Sequence, residues 1–266
     1  MAEEATHALT EKQIQTILNS GDEEGSLPLQ EALAAAEVEL KAALETDGYS
    51  HGQLDLSDSA MLRRFLIARK LQIPATVAML EAHAKWAEQT YPIELPEVLG
   101  EIRKGKAYSH GVDAQGNPLV FVCSRNFDPR TRDLATAVRA TVYMVDEAVR
   151  LSSKTGGQIS IFYDRSDFSA SKNLDLALIK AVVTTLSENY PERLAALYLY
   201  PAGSMASMVF RLVSPLLDPR QRSKVHLLTS EALLRQSVPD AYVPVRYGGT
   251  STFVFDPKVY EHAAGA

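Results

Sequence analysis

Through the first hundred residues apolar positions recur three and four apart, and beyond Pro96 short apolar runs alternate with further helical stretches. Ser26-Leu27-Pro28 offers a cap with proline near a first helical turn. Leu29, Leu33, Ala36, Leu40 and Leu44 then mark one face of a helix that Gly48 ends. Ser57-Asp58 starts a second helix through Met61, Leu62, Phe65 and Leu66, with Arg63, Arg64, Arg69 and Lys70 on the other side. A third begins at Pro74 and passes Val77, Leu80, Ala84 and Ala87 to Tyr91-Pro92, with Trp86 as a packing anchor. Residues 1–95 therefore predict a helical module.

Residues 96–266 follow another rhythm. Ala107 to Val112 and Leu119 to Cys123 predict two strands joined by a turn at Asp113-Ala-Gln-Gly116-Asn117. A helix over about 131 to 153 stops at Gly156-Gly157. Gln158 to Tyr163, Leu194 to Tyr200 and Val225 to Leu228 predict strands; Leu174 to Asn189, Met205 to Leu217 and Glu231 to Gln236 predict helices. Strands separated by helices need crossover connections, hence a mainly parallel sheet. The expected fold class is α/β, a helical bundle followed by a sheet domain.

Composition changes little: 266 residues, 46% apolar and 23% charged, with a net charge of −6. The charge is unevenly spread. Residues 1–100 carry 17 acids and 7 bases, residues 101–266 carry 16 acids and 20 bases. That excess is too small for a nucleic-acid footprint but suits an anionic membrane surface or a phosphate headgroup. The lone Cys123 excludes an internal disulfide, and its apolar setting favours a buried, inert thiol. The acidic N-terminus lacks an apolar targeting segment, and Leu194 to Phe210 is broken by Pro201 and Gly203, so a cytoplasmic protein without membrane spans is expected.

Catalytic signatures are missing. There is no G-x-G-x-x-G after a strand and no G-x-x-x-x-G-K, and the six histidines form no metal-binding pair. Gly203-Ser204-Met205-Ala206 is not a nucleophile elbow. Asp164 and Asp167 end a strand where α/β enzymes place acids, but turn-forming and capping are the commoner roles. Neither an enzyme nor a cofactor or metal is expected.

Five stretches in order carry a resemblance. They are Leu62-Arg-Arg-Phe65-Leu-Ile-Ala-Arg69-Lys70, Asp113-Ala-Gln-Gly116-Asn-Pro118-Leu-Val120, and Asn189-Tyr190-Pro191-Glu192-Arg193-Leu194. Phe210 to Pro219 with Ser223-Lys224-Val225 is the fourth, and Val245-Arg-Tyr247-Gly248-Gly249 the fifth. Together they resemble the CRAL-TRIO family, known from phosphatidylinositol and phosphatidylcholine transfer proteins.

The resemblance implies a sheet flooring an apolar lipid pocket, with a movable helix as gate. It implies headgroup contacts from Arg69, Lys70, Asp113, Glu192, Arg193 and Lys224, with Gln221 standing where the family has threonine. Glu192-Arg193 also fits a structural ion pair. Val120, Val122, Ile159, Ile161, Tyr163, Leu197 and Leu199 are expected to line the pocket, and Met205, Met208, Phe210 and Val213 the gate. By pattern alone the gate residues also read as ordinary core. Ile159 and Ile161 replace the hydroxyl residues that hold phosphatidylcholine in the family and cannot bond its phosphate.

The expected function is thus non-enzymatic binding and transfer of phosphatidylinositol by a monomer that visits membranes transiently. Two alternatives remain open. One is a carrier of a sterol, isoprenoid or haem, oriented by Tyr163 and Asp164-Arg165-Ser166; the other is a signalling adaptor.

Overall fold

The computed structural model describes residues 27–46, 54–152 and 156–258. The expected helix stop at Gly48 lies outside these, as does the side chain of Met205. The chain divides into two compact units, residues 1–91 and 92–266.

In the first unit, α1 (Leu27–Thr46), α2 (Ser59–Ala68) and α3 (Ile73–Thr90) share one apolar core. Leu29, Leu40, Leu44, Leu62, Leu66 and Leu80 are all completely buried there. Asp58 caps α2 by accepting from the Met61 amide. Glu37, on the flank of α1, receives Ser59 Oγ at 2.6 Å, Lys41 at 2.9 Å and Arg63 at 3.0 Å. The Ser59 hydrogen bond, with those of Lys41 and Arg63, holds its carboxyl down at about 2. Trp86 joins a ring series, stacked on His83 and edge-on to Tyr91.

The second unit opens with α4 (Leu95–Ile102), which the sequence pattern did not predict. Pro96 read as a break, yet it sits in the first helical turn, where its missing N–H costs nothing. Leu95, Val98 and Ile102 pack this helix on Ala140 and Met144. The hydrophobic face of α4 thus packs within the second unit.

The sheet follows. β1 (Ala107–Val112) and β2 (Pro118–Cys123) form an antiparallel hairpin; β3 (Ile159–Asp164), β4 (Leu194–Tyr200) and β5 (Val225–Leu227) continue it in parallel, in the order β1-β2-β3-β4-β5. The crossovers are α5 (Leu134–Leu151), then the short α6 (Ala170–Asn173) with α7 (Leu176–Asn189), then α8 (Ser204–Val213) with α9 (Pro219–Ser223). α10 (Glu231–Ser237) follows β5. The expected helix from Met205 to Leu217 is cut short because Pro215 lacks the donor an α-helix needs, and 214–216 tighten into a 3-10 turn.

Alternate side chains of each strand face opposite sides. One face is solid. Phe121, Phe162, Tyr198 and Tyr200 pack there with Leu234, Val238, Val243 and Tyr247 from the C-terminal stretch. Tyr247 sits at the characteristic Y-G-G. Gly248 takes φ 77°, and a Cβ on Gly249 would come within 2.1 Å of the Val243 carbonyl oxygen, so neither position admits a side chain.

Candidate functional site

The other face is hollow. A cavity of about 340 Å³ lies over β2, β3 and β4, walled by α5, α7 and α8. Its floor is Val120 and Val122, Ile159, Ile161 and Tyr163, and Leu197 and Leu199. The helices contribute mostly short or branched apolar groups: Ala137, Ala140 and Val145 from α5, Ile179, Val182 and Val183 from α7, Ala206, Val209, Phe210 and Val213 from α8. Burial pushes the Tyr163 hydroxyl up to about 12, so it stays neutral at physiological pH.

Polar groups gather at the two ends of the parallel strands. At the amino edge, Glu192 accepts from Arg220 Nη2 at 2.8 Å and from Lys224 Nζ at 3.3 Å. Arg220 and Lys224 stand four apart, so a single turn presents both cations to one carboxylate. Burial raises the Glu192 carboxyl, against the pull of Lys224. Arg193 donates to the Gly157 carbonyl at 2.9 Å, lying so close that a Cβ on Gly157 would be 1.7 Å from its nitrogen. Gln221 completes a capping box with Asp218 and borders the cavity.

At the carboxyl edge, Asp164 is wholly inaccessible and gathers Arg125 at 2.9 Å, Tyr247 at 2.5 Å, Ser166 and Arg246. Burial pushes its carboxyl up, but the Tyr247, Ser166 and Arg125 hydrogen bonds outweigh that and leave it below the usual range. Asp164 is therefore a structural anchor. Cys123 is buried nearby, and burial raises its thiol, as expected of an inert cysteine.

Two expectations need correction. Asp113 does not reach the cavity. It is 2% exposed, accepts from Ser160 Oγ at 2.6 Å and from the Gln115 and Asn117 amides at 2.9 Å, and so ties the hairpin turn to the sheet's solid face. Met208 is 46% exposed and is not part of the cavity wall. Helical geometry explains this: Ala206, Val209, Phe210 and Val213 share the inner face of α8, which turns Met208 and Leu212 outward. Arg69, the half-buried C-cap of α2, and Lys70, exposed with φ 55°, belong to the first unit. Pattern reading missed Arg220, although its spacing from Lys224 was visible. It also passed over Lys106, whose ammonium meets Glu101 at 2.6 Å on the cavity wall.

Known proteins match this chain in sequence and in fold. The CRAL/TRIO domain model covers residues 102–249. The chain belongs to the CRAL/TRIO family. A CRAL-TRIO domain-containing protein of Saccharomyces cerevisiae is 30% identical over 224 residues, covering 74% of this chain and 72% of its own length. The SEC14 cytosolic factor of Candida glabrata is 27% identical across 85% of this chain and 82% of its own. The phosphatidylinositol transfer protein CSR1 of Eremothecium gossypii is 24% identical across 81% of this chain, which spans 52% of that longer relative. The crystal structure of Sfh5 shares the fold, with a TM-score of 0.62 and 14% identity over 88% of this CRAL/TRIO chain and 97% of Sfh5. No helix among the described residues is long and apolar enough to cross a membrane.

Proposed function

We propose that this CRAL/TRIO protein binds one lipid in the cavity of its second unit and exchanges it with membranes, without catalysing a reaction. The cavity carries the reading: about 340 Å³ walled by aliphatic side chains is a place for hydrocarbon. Removing a tail from water is worth about 0.8 kcal/mol per CH₂, and that gain is equal in bilayer and pocket. Exchange between them therefore runs near equilibrium and needs no energy input. The relatives named as a phosphatidylinositol transfer protein and as SEC14 cytosolic factors support the same assignment.

Phosphatidylinositol is the lipid proposed. Its phosphate needs cations and its ring hydroxyls need acceptors, and Arg220, Lys224 and Glu192 supply both beside Arg193 and Gln221. Phosphatidylcholine is disfavoured because Ile159 and Ile161 on the floor offer its phosphate no donor. Native mass spectrometry of gently purified protein tests the reading. Stoichiometric phosphatidylinositol is expected, and an Arg220→Ala, Lys224→Ala double variant is expected to lose transfer between vesicles. Stoichiometric phosphatidylcholine, or undiminished transfer by that variant, would refute the lipid assignment.

A second reading is favoured by size: 340 Å³ is at the small end of the roughly 300–1,000 Å³ of ligand pockets. A cavity of that size suits a compact hydrophobe such as a sterol or isoprenoid, and a two-chain lipid would need α8 to move outward.

A further inference from the structure

Cations on an apolar wall are costly unless something balances them. Lys106 is balanced by Glu101 at 2.6 Å, and Arg193 rests on the Gly157 carbonyl at 2.9 Å. Arg165 differs from Lys106 in having no carboxylate beside it. It follows the last residue of β3, half-buried at the carboxyl edge, and lines the cavity. One guanidinium N–H reaches the Pro201 carbonyl at 3.3 Å, and the group lies 5.1 Å above the Phe168 ring. Among the described residues it has no carboxylate partner. A guanidinium carries five donors in a rigid fork, so most of this one is unengaged. Burial lowers its pKa, with the Tyr163 hydroxyl pulling the other way.

Tyr163, two residues back along the strand, points the same way. Its side chain lines the cavity, and its hydroxyl has no hydrogen-bond partner among the described residues. Nor is that hydroxyl sealed: among the described residues the buried side-chain polar atom without a partner is Ser109 Oγ, not Tyr163 Oη. Two donors, one charged and one neutral, thus open on the same apolar space. They stand at the opposite end of β3 from Arg193 and Gln221, roughly 13 to 20 Å along the strand at ~3.3 Å per residue.

We infer that Arg165 and Tyr163 form a second polar pole that binds the carboxylate of a single-chain fatty acid, with the alkyl chain running along β3 toward the amino edge. The inference rests on the cavity's being a lipid site, and it adds a ligand class that enters with polarity opposite to a phospholipid. A planar carboxylate matches the guanidinium fork in two parallel hydrogen bonds. One chain also suits a cavity of about 340 Å³ better than two. An alkyl phosphate offers related chemistry, so the test must separate them.

The test is calorimetric titration of the delipidated full chain with palmitate, 1-hexadecanol and hexadecyl phosphate. Palmitate is expected to bind about tenfold or more tightly than the alcohol, the worth of a charge-assisted hydrogen bond. Arg165→Met, which keeps the length and removes the charge, should bring that preference to about one. Arg165→Lys should restore part of it, and Tyr163→Phe should reduce it several-fold. Should Arg165→Met fail to fold by circular dichroism, the Tyr163→Phe and Arg165→Lys variants decide. An acid preference that survives Arg165→Met would overturn the inference, and tighter binding of hexadecyl phosphate would overturn the choice of carboxylate. Wild-type protein that binds phosphatidylinositol but none of the three single-chain probes would sink this pole and leave the lipid cavity standing. Binding of no lipid at all would sink the cavity reading itself.

Discussion

The two faces of one sheet are built from neighbouring residues and behave as different materials. Phe162 and Tyr198 lie in an aromatic layer closed by Tyr247, whereas Ile161 and Leu197, one residue away, line the cavity. The difference is set by what covers each face. The C-terminal stretch lies directly on the solid side, while long helices with small inward residues such as Ala137, Ala140 and Ala206 stand off the other. Hollowness is here a property of the covering elements as much as of the strands.

Paired truncations test this most severely. Phe162→Ala is expected to cost about 3–5 kcal/mol, since it opens a void where none exists. Ile161→Ala enlarges a space already present and is expected to cost less than about 2 kcal/mol. Urea unfolding measures both, and equal losses would erase the distinction. Next in size, Leu197→Trp should fill the cavity and reduce lipid recovered per protein by about tenfold, with a melting temperature equal to or above that of the wild type. Lipid loading that persists would place the ligand elsewhere.

The outer side of α8 sharpens the contrast less strongly. Met208→Asp and Leu212→Asp alter residues that are 46% and 56% exposed. They should leave stability within about 0.5 kcal/mol and slow lipid exchange with vesicles several-fold. Unaltered exchange would mean that this side does not meet the bilayer.

The smallest effects concern pH, and the two strand edges should differ in sign. Asp164 is held below the usual range in the folded chain, so its contribution is present above about pH 4 and fades as pH falls through the lowered value. Glu192 is raised, so its contribution runs the other way, diminishing as pH climbs from about 4 through the raised value. Unfolding midpoints between about pH 2 and 7 should lose the first slope in Asp164→Asn and the second in Glu192→Gln.

Much of the fold was readable in advance. β4 matches its expected range of Leu194–Tyr200, because an apolar run bounded by Arg193 and Pro201 leaves little choice. Every expected strand residue on the cavity floor is found there, since the period of two allows only one set of partners. What escaped depends on three dimensions. Asp113 carries an acid where the family resemblance suggested a headgroup contact, yet Ser160, forty-seven positions away, claims it. Met208 reads in the sequence like its apolar neighbours, and only the direction of α8 separates inner from outer positions. Arg165 looked like one member of a polar cluster, and its lack of an acid partner emerges only once Asp164 is seen committed to Arg125 and Arg246.

Asp164 also carries a consequence for how the chain is made. A single carboxylate joins the end of β2, through Arg125, to Arg246 and Tyr247 far along the chain, and Phe253 and Phe255 lie on Tyr108 of the first strand. During synthesis on a ribosome the first strand of the sheet therefore waits for residues 246–255 before its aromatic side is sheltered. A nascent chain stalled before residue 245 should stay protease-sensitive throughout the sheet, and one released beyond 256 should become resistant in a single step.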